Sequence, residues 1–278
     1  MLTGSAYALV AVGLVLIFSV LRAINFAHGE YYMLGALVAW TALDRFGWPY
    51  PGAVGLAVVA SAVLGFVISR VLMERLLVMP FSMAVLATLG VQLALQNGAQ
   101  LLWGASPKFF GGGWIAPVQV GGVGIIGQQL VIFGAAVVSF AGLAWLVRRT
   151  HLGRSMRAVA QNREACEVVG LDVERVARIT FTLGVTFAGL AGALVAPILV
   201  NVGTTIGLPM VLRAFAIIVL GGVGSVPGAL VGGLILGVAE SFVAGYLTLQ
   251  LRDAVGFAVL IAMLIVRPQG LFGVRVRS

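Results

Sequence analysis

Hydrophobic residues form long runs along the chain, broken by short polar stretches. Apolar runs of about 17–25 residues are long enough, as helices, to cross a hydrocarbon core of about 30 Å. They predict membrane spans at residues 4–21, 24–43, 52–72, 81–103, 128–147, 179–200, 207–222, 226–247 and 252–267. The pattern therefore predicts an all-α protein, a polytopic transmembrane helical bundle with eight or nine spans.

Two of these spans are candidates for broken or re-entrant helices. Span 24–43 opens with the polar run Asn25-Phe-Ala-His28-Gly-Glu30, and span 207–222 is short, contains Arg213 and ends in glycines. Non-helical backbone at membrane depth is tolerated where it is buried in protein or lines a cavity. The first run, 4–21, has no basic segment before it, so we expect a retained span and not a cleaved signal peptide.

Composition supports a membrane protein and excludes a soluble one. Hydrophobic residues make up 61% of the 278 residues, charged residues only 9%, and the mean hydropathy is +1.11. A soluble domain of this composition would leave apolar surface in water. The net charge of +8 comes from arginines at the ends of apolar runs, which indicates topology signals and not a nucleic-acid surface.

The arginines also predict the topology. Segment 148–178 holds seven arginines and His151 against four acids, so we place it in the cytoplasm. Counting spans from there puts loop 104–127 and the amino terminus outside. Arg70 and Arg75, and the carboxy-terminal tail with Arg267, Arg275 and Arg277, fall inside. We expect one transmembrane domain over 1–278 with a cytoplasmic loop at 148–178.

The outer loop carries a glycine pattern that has two interpretations. Gly122-Val-Gly124-Ile-Ile-Gly127 matches a dinucleotide-binding fingerprint, but no acid occurs between Glu74 and Glu164 to bind a ribose. We therefore attribute the match to chance. A small hairpin over Val118–Ile125, turning at Gly121-Gly122, is the better prediction.

Thirty-eight glycines are distributed through the apolar runs. In lipid, small residues let helix backbones approach closely, so Gly184–Gly192 and Gly228–Gly237 are predicted helix-packing faces. For any single glycine, close packing without a direct part in transport is the favoured interpretation.

The sequence excludes several kinds of chemistry. The only lysine, Lys108, follows Pro107, so there is no P-loop to bind ATP. Cys166 is the only cysteine, which rules out a disulfide framework or cysteine cluster and fits a small residue on a short helix. His28 and Glu30 are two residues apart and do not share a helix face, so zinc binding is not expected. We predict no metal, cofactor or catalytic residue on this chain.

Polar residues within the spans are the candidates for the translocation path, because such residues are costly in lipid. Glu240 either lines the path or pairs with a donor such as Arg213. Gln92, Gln96, Asn97 and Gln100, at helical spacing, either bond neighbouring helices or line a wet cavity. Asn25, His28 and Glu30 are predicted to satisfy backbone groups where a helix unwinds beside the substrate path.

The cytoplasmic loop contains a defined short helix. Ser155 is predicted to cap a helix that runs to about Val169, and Gly170 is suited to end it. A solvated loop that only sets topology is the alternative, but it does not explain an alanine-rich helix with a defined stop inside an arginine cluster.

At this point the chain resembles a known family. Glu164-Ala165-Cys166, followed after three residues by Gly170, is similar to the EAA motif of ABC-importer permeases, with cysteine in place of the second alanine. The chain resembles the branched-chain amino-acid permeases more closely still. The matching stretches are Tyr7-Ala-Leu through Ile24-Asn-Phe-Ala-His-Gly-Glu30, Val219-Leu-Gly-Gly-Val-Gly-Ser-Val-Pro-Gly-Ala through Gly237-Val-Ala-Glu240, and Arg267-Pro-Gln-Gly-Leu-Phe-Gly273.

The resemblance implies a permease subunit of an ABC importer in a prokaryotic plasma (inner) membrane, carrying branched-chain or related hydrophobic amino acids. It implies a homologous second permease, two ATP-binding subunits that hold ATP and Mg, and an extracytoplasmic solute-binding protein as partners. Because relatives in this family also carry urea, short amides or other small solutes, a permease for such a solute is an alternative. A second alternative is an ion-coupled secondary transporter that uses Glu30 and Glu240.

The resemblance also assigns roles to residues. The expected coupling residues, which contact the ATPase, are Arg157, Asn162, Glu164, Ala165 and Gly170. The translocation-path candidates are Asn25, His28, Glu30, Gln92, Gln96, Gly222, Gly224, Ser225 and Glu240.

Overall fold

The computed structural model describes residues 2–21, 24–73, 75, 79–110, 118–120, 123–125, 127–199, 201–248, 251–267 and 269–272. These residues are mostly helical. The helices are α1 Leu2–Leu21, α2 His28–Asp44, α3 Tyr50–Ile68 with a π-helical turn Ser69–Met73, α4 Phe81–Trp103, α5 Gly127–Arg149, α6 His151–Gln161, α7 Arg163–Val168, α8 Val173–Leu199, α9 Gly207–Gly221, α10 Val226–Tyr246 and α11 Leu251–Val266.

Each predicted membrane span contains a helix, which confirms the all-α bundle. Within the described residues, five helical segments are both long and apolar enough to cross a bilayer, namely Gly4–Leu21, Tyr50–Leu72, Gly127–Arg149, Val173–Leu199 and Val226–Tyr246. Segments Gly207–Gly221 and Ala254–Val266 are apolar but shorter. The chain is therefore a multi-pass membrane protein. The prediction of eight or nine crossings remains a prediction.

The second predicted span begins later than expected. Residues 24–27 are not helical, and α2 starts at His28. The His28 imidazole Nε2 lies 3.0 Å from the Val10 carbonyl oxygen, so α2 begins level with the middle of α1 and not at its end. The chain thus turns back into the bundle between α1 and α2, and the polar run lies in the protein interior. By contrast, the other candidate for a broken helix, α9, is continuous from Gly207 to Gly221.

Several polar groups of the turn before α2 have partners inside the protein. Asn25 Oδ1 accepts the Ala27 N–H at 3.2 Å, and the Phe26 N–H donates to the Thr88 hydroxyl at 3.4 Å. That hydroxyl in turn lies 3.2 Å from the Ile24 carbonyl. A buried non-helical segment needs such partners because lipid supplies none.

Helices α1 and α8 lie at the centre of the bundle and pack on α2, α3 and α10 through small residues. A Cβ placed on Gly184 of α8 would lie 2.6 Å from the Gly13 carbonyl of α1, and one on Gly233 of α10 would lie 2.7 Å from the Ala8 Cβ. These approaches are possible only without side chains. They confirm the two predicted packing faces, because dispersion between closely packed backbones holds helices together in lipid.

The carboxy-terminal segment caps α9. The N–H groups of Leu271 and Phe272 donate to the carbonyls of Leu220 and Gly221 at 2.9 and 3.0 Å, which satisfies carbonyls that the helix end leaves unpaired. Gly270, at φ +77°, lies against Gly222. The tail therefore lies at the same end of the bundle as the α9–α10 loop, as the predicted topology requires. The predicted tail positions Arg275 and Arg277 lie outside the described residues.

Two short antiparallel strand pairs lie outside the helices. Strand β2, Val118–Val120, pairs with β3, Val123–Ile125, with Val120 opposite Val123. This confirms the predicted hairpin, although its turn, Gly121-Gly122, lies outside the described residues. Strand β1, Lys108–Phe109, pairs with β4, Asn201–Val202, which the sequence did not predict.

Close backbone packing predicts a large effect of a single methyl group. A Cβ at Gly35 would lie 2.6 Å from the Gly189 Cα, whereas one at Gly90, also within a helix, would meet nothing within 4 Å. We expect Gly35→Ala to lower the thermal unfolding midpoint in detergent, because overpacking typically costs about 1–3 kcal/mol. Gly90→Ala is the matched control, with the same gain in helix propensity. Equal midpoints for the two variants would contradict the packing described.

Candidate functional site

A buried carboxylate joins three helices. Glu240 of α10 is 1% exposed. Its Oε1 accepts from Arg213 Nε of α9 at 3.0 Å, and its Oε2 accepts from the Tyr7 hydroxyl of α1 at 2.6 Å. The Arg213 guanidinium also lies over the Tyr7 ring, 5.6 Å from its centroid. The pairing of Glu240 with Arg213 was one of the two interpretations of Glu240 that the sequence allowed.

A cavity of about 420 Å³ opens beside this cluster. Its polar lining comes from Tyr7, Tyr32, Gln129 and Arg213, and the rest of its wall is apolar. The volume falls within the range of about 300–1,000 Å³ that is usual for small-molecule sites, which combine an apolar wall with a few placed polar groups. Such a cavity suits a small ligand that has one apolar part and one charged part.

The cavity lies at the end of the bundle away from the charged loop. It is lined by residues near the start of α1, α5 and α9 and near the end of α8. Helix α5 ends at Arg149 and α8 begins at Val173, on either side of the charged loop. Since each of these helices runs between the two ends, the cavity and the charged loop occupy opposite ends of the bundle.

A proline breaks the hydrogen bonding of α8 beside the cavity. Pro197 has no N–H, so the carbonyl of Ala193 loses its usual helical partner. The Tyr50 hydroxyl lies 3.2 Å from that carbonyl, and Gln128 Nε2 donates to the Leu194 carbonyl at 2.8 Å. Helix α3 thereby supplies the bond that Pro197 removes, and α5 adds a bond to the next carbonyl of α8. Val195, Ile198 and Leu199, around the break, line the cavity.

The polar residues at the start of α2 are buried in the protein and do not line the cavity. Asn25, His28 and Glu30 are each at most 1% exposed. The Glu30 carboxylate packs against Gly207, where a Cβ would lie 2.7 Å from Oε1, and Glu30 Oε2 has no hydrogen-bond partner. The next residue before Gly207, Ile206, lines the cavity. Glu30 therefore lies in the interior near the cavity wall, and Asn25 and His28 are also interior groups.

The amides of α4 are not brought to this site. Gln92 is buried and Gln96 partly buried, while Asn97 is exposed and donates to the Leu93 carbonyl of its own helix at 2.7 Å. Among the residues described around the cavity beside Tyr7, none belongs to α4. The structure thus separates the candidates on α4 from Glu240.

The charged loop forms two helices and not one. Thr150 caps α6, accepting from the Gly153 N–H at 3.1 Å, and Asn162 ends α6 and caps α7, accepting from the Ala165 N–H at 3.0 Å. The prediction that Ser155 caps a single helix to Val169 is therefore wrong. Ser155 lies inside α6, where its hydroxyl bonds the His151 carbonyl at 3.2 Å, because the helix begins one turn earlier at Thr150.

The predicted end of the loop helix is confirmed. Gly170 adopts φ +80°, and the Leu171 N–H donates to the Cys166 carbonyl at 2.9 Å, as in glycine-terminated helices. Cys166 is buried among residues of α1, α6 and α8 and anchors α7. The expected coupling residues Arg157, Asn162, Glu164, Ala165 and Gly170 are all exposed.

Two exposed valines lie at the end of α7. Val168 and Val169 are 86% and 80% exposed, although they follow a charged helix with an exposed Arg163–Glu167 pair at 2.8 Å. Two adjacent exposed valines on a polar loop are unusual for a surface in water and suit contact with another protein. This pair of valines was not singled out from the sequence.

The glycine loop between α9 and α10 faces the charged loop. Gly222 and Gly224 have φ of +99° and +85°, and the Ser225 hydroxyl caps α10 by accepting from the Gly228 N–H at 3.0 Å. Gly224 and Ser225 line a cavity of about 310 Å³ together with Met156 and Arg157 of α6. Gly224 and Ser225 therefore lie beside Arg157, one of the expected coupling residues, and at the far end of the bundle from the cavity beside Tyr7.

Several site residues escaped the sequence analysis. Tyr7, Tyr32 and Gln129 line the cavity, but an isolated tyrosine or glutamine at a span end gives no signal of its role. Tyr50 and Gln128 had a weak signal: Pro197 inside an apolar run predicts a freed carbonyl that needs a donor. Nothing in the sequence identified which residues would supply it.

Comparison with known proteins gives one consistent result. The family model described as branched-chain amino acid transport system / permease component matches residues 1–264. The high-affinity branched-chain amino acid transport system permease protein LivH of Escherichia coli strain K12 is 34% identical, over 97% of this chain and 92% of its own. The permease protein BraD of Pseudomonas aeruginosa is 32% identical over the same shares.

Two further proteins show weaker similarity, one in the length matched and one in identity. The autoinducer 2 import system permease protein LsrC of Escherichia coli is 32% identical, over 54% of this chain and 44% of its own. Among solved structures, an inward-facing metal-chelate type ABC transporter aligns over 95% of this chain and 85% of its own, with 15% identity and a TM-score of 0.43. That similarity is too weak to inform the fold or the site.

We expect the bond at the proline break to stabilise the bundle. Tyr50→Phe removes the hydroxyl that lies beside the Ala193 carbonyl and should lower the thermal unfolding midpoint, since an unsatisfied buried polar group costs about 1–3 kcal/mol. Tyr246→Phe, at a position that is 82% exposed, is the matched control and should leave the midpoint unchanged. If both variants melt like the wild type, Tyr50 does not support α8.

The two arginine–glutamate pairs should differ in their contribution. Glu240→Gln leaves the Arg213 charge without its counterion, and breaking a buried pair typically costs about 3–5 kcal/mol. Glu167→Gln breaks the exposed Arg163 pair, which should cost about 0–1 kcal/mol. Thermal unfolding in detergent measures both. A Glu240→Gln midpoint equal to that of Glu167→Gln would show that Glu240 is dispensable for the fold.

Proposed function

Since the chain belongs to the family of branched-chain amino acid transport permeases, we propose that it is the membrane-spanning permease subunit of an ABC importer for branched-chain or related hydrophobic amino acids. Its partners would be a homologous second permease, two ATP-binding subunits and an extracytoplasmic solute-binding protein. Its place would be the plasma (inner) membrane of a prokaryote, with loop 148–178 and the carboxy-terminal tail in the cytoplasm.

The observation that carries the proposal is the arrangement of the two ends of the bundle. One end holds the apolar cavity with Arg213 on its wall, and the other holds the exposed helix α7. Helix α1 reaches both: Tyr7 lines the first cavity, and Ser19 lines the cavity between α6 and the Gly222–Ser225 loop. A permease needs this arrangement, with a substrate path at one place and an ATPase contact at another.

Transport would proceed by alternating access. The binding protein delivers the substrate to the outer face, and closure of the ATPases pushes on α6 and α7. Because α6 packs on α1 and α5, a displacement there reaches the helices that line the cavity. This chain supplies the path and the contact surface, while ATP and Mg bind to the partner subunits.

The cavity favours hydrophobic amino acids over the alternatives. Urea and short amides offer no apolar side chain to fill an apolar wall. A secondary transporter would use Glu30 or Glu240 as an ion site, but Glu240 is already paired with Arg213 and Tyr7, and the exposed loop helix would have no role.

The direct test is uptake into proteoliposomes that contain the complete importer. We expect labelled leucine to accumulate only with ATP and active ATPase subunits, and unlabelled valine to compete. Uptake of urea alone would change the substrate but keep the mechanism. Leucine uptake that is driven by an ion gradient and survives inactivation of the ATPases would refute the proposal.

The loop helix should transmit the ATPase movement. We expect Gly170→Arg to abolish leucine uptake while ATPase activity persists, because a long side chain at this exposed helix end obstructs docking. Gly170→Asn is the control for backbone strain, since asparagine tolerates positive φ, and it should retain most uptake. Val169→Asp, which places a charge on the exposed apolar pair, should act like Gly170→Arg.

Normal uptake by both Gly170→Arg and Val169→Asp would show that α7 does not dock on the ATPase. The unfolding midpoint of Val169→Asp should match the wild type, because Val169 is exposed. Gly170→Arg and Gly170→Asn both carry a side chain at φ +80°, so their midpoints show how much of any loss of uptake comes from backbone strain.

A further inference from the structure

The cavity beside Tyr7 combines an apolar wall with a single charged residue among those described around it. Much of its wall is hydrocarbon, supplied in part by Ile132, Val195, Ile198, Leu199, Ile206 and Met210. Arg213 is the one charged residue among the residues described around it. A ligand that fits both parts has a branched hydrocarbon group and an anionic group.

Arg213 is held in one orientation. Its Nε donates to Glu240, and its guanidinium lies over the Tyr7 ring at cation–π distance. Glu240 also holds this ring, by accepting from the Tyr7 hydroxyl. The Arg213 side chain is 18% exposed and reaches the cavity, whereas Glu240 is sealed behind it at 1%. The charge that a ligand meets is therefore positive, and it is positioned before the ligand arrives, which reduces the entropy cost of binding.

We propose that Arg213 binds the carboxylate of the transported amino acid in this cavity, with the substrate's branched side chain against the apolar wall. This rests on the proposed function, and it adds the group that recognises the common part of every amino acid. Guanidinium–carboxylate hydrogen bonds are short, strong and directional, and stronger still where water is scarce. Glu240 and Tyr7 act as positioning residues that hold the guanidinium in place.

Charge balance is consistent with this assignment. The Arg213–Glu240 pair is neutral, and so is a zwitterionic amino acid, so binding adds no net charge to a site inside the membrane. None of the described residues that line this cavity is acidic. An amine without a carboxylate would therefore meet only the cation and should bind poorly.

The test measures protection of a thiol in the cavity. In the complete nucleotide-free importer with Cys166→Ser, the Met210→Cys reporter is modified by a small thiol reagent in the presence of leucine, 4-methylpentanoate or 3-methylbutylamine. These compounds share a branched skeleton and carry both charges, the carboxylate alone, or the ammonium alone. We expect leucine and 4-methylpentanoate to slow modification and 3-methylbutylamine to have no effect.

Variants then identify the group responsible. Arg213→Gln combined with Glu240→Gln removes both charges while keeping side-chain size, so neither ion is left unpaired. This pair of changes should raise the concentration of 4-methylpentanoate for half-protection by about tenfold or more. Arg213→Lys, which keeps the charge but loses the planar fork, should give a smaller increase. Unfolding midpoints verify that each protein is folded.

Two results would overturn the inference: protection by the amine equal to that by the acid, or unchanged protection by the acid in a folded Arg213→Gln/Glu240→Gln variant. Leucine uptake by the parent importer, measured alongside, separates this inference from the proposed function. ATP-driven leucine uptake together with unchanged protection rejects only the role of Arg213. Absence of ATP-driven leucine uptake rejects the substrate class in the proposed function, on which this inference rests.

Discussion

The structure depends on one constraint: lipid offers no hydrogen bonds, so a polar atom within the bundle is costly unless it has a partner inside the protein. The Arg213–Glu240–Tyr7 cluster meets this constraint by joining α9, α10 and α1. Tyr50 and Gln128 meet it at the Pro197 break by joining α3 and α5 to α8. Each cluster ties helices together at the cavity, so the requirement that stabilises the fold also shapes the candidate site.

Between these clusters the helices are held by close packing of small residues. Gly13 against Gly184, and Gly35 against Gly189, bring backbones together without flexible side chains between them. Such interfaces are stiff, and they favour movement of whole helices over local rearrangement. Helix α1 lies at the centre and reaches from the cavity beside Tyr7 to the region of α6. A displacement at the charged loop can therefore reach Arg213 through a single packed helix.

The sequence predicted what depends on hydrophobicity and local chemistry. Span positions followed from apolar length and the end of α7 from Gly170. The cost of charge in lipid made a pair with a donor such as Arg213 one of two interpretations of Glu240. Sequence prediction failed where a neighbour in space decides the outcome. Ser155 was a plausible cap, but Thr150 begins the helix one turn earlier. The start of α2 at His28 depends on Thr88, 60 residues away along the chain, and no local pattern identifies Tyr7 or Gln128.

The central claim is that the cavity beside Tyr7 is the alternately accessible substrate path. Modification of the Met210→Cys reporter by a membrane-impermeant thiol reagent, applied from one side of sealed proteoliposomes, measures that access directly. The account predicts rates that differ between the nucleotide-free importer and one trapped with ATP on its ATPase subunits, with opposite changes for reagent inside and outside. Rates that do not depend on nucleotide from either side would contradict it.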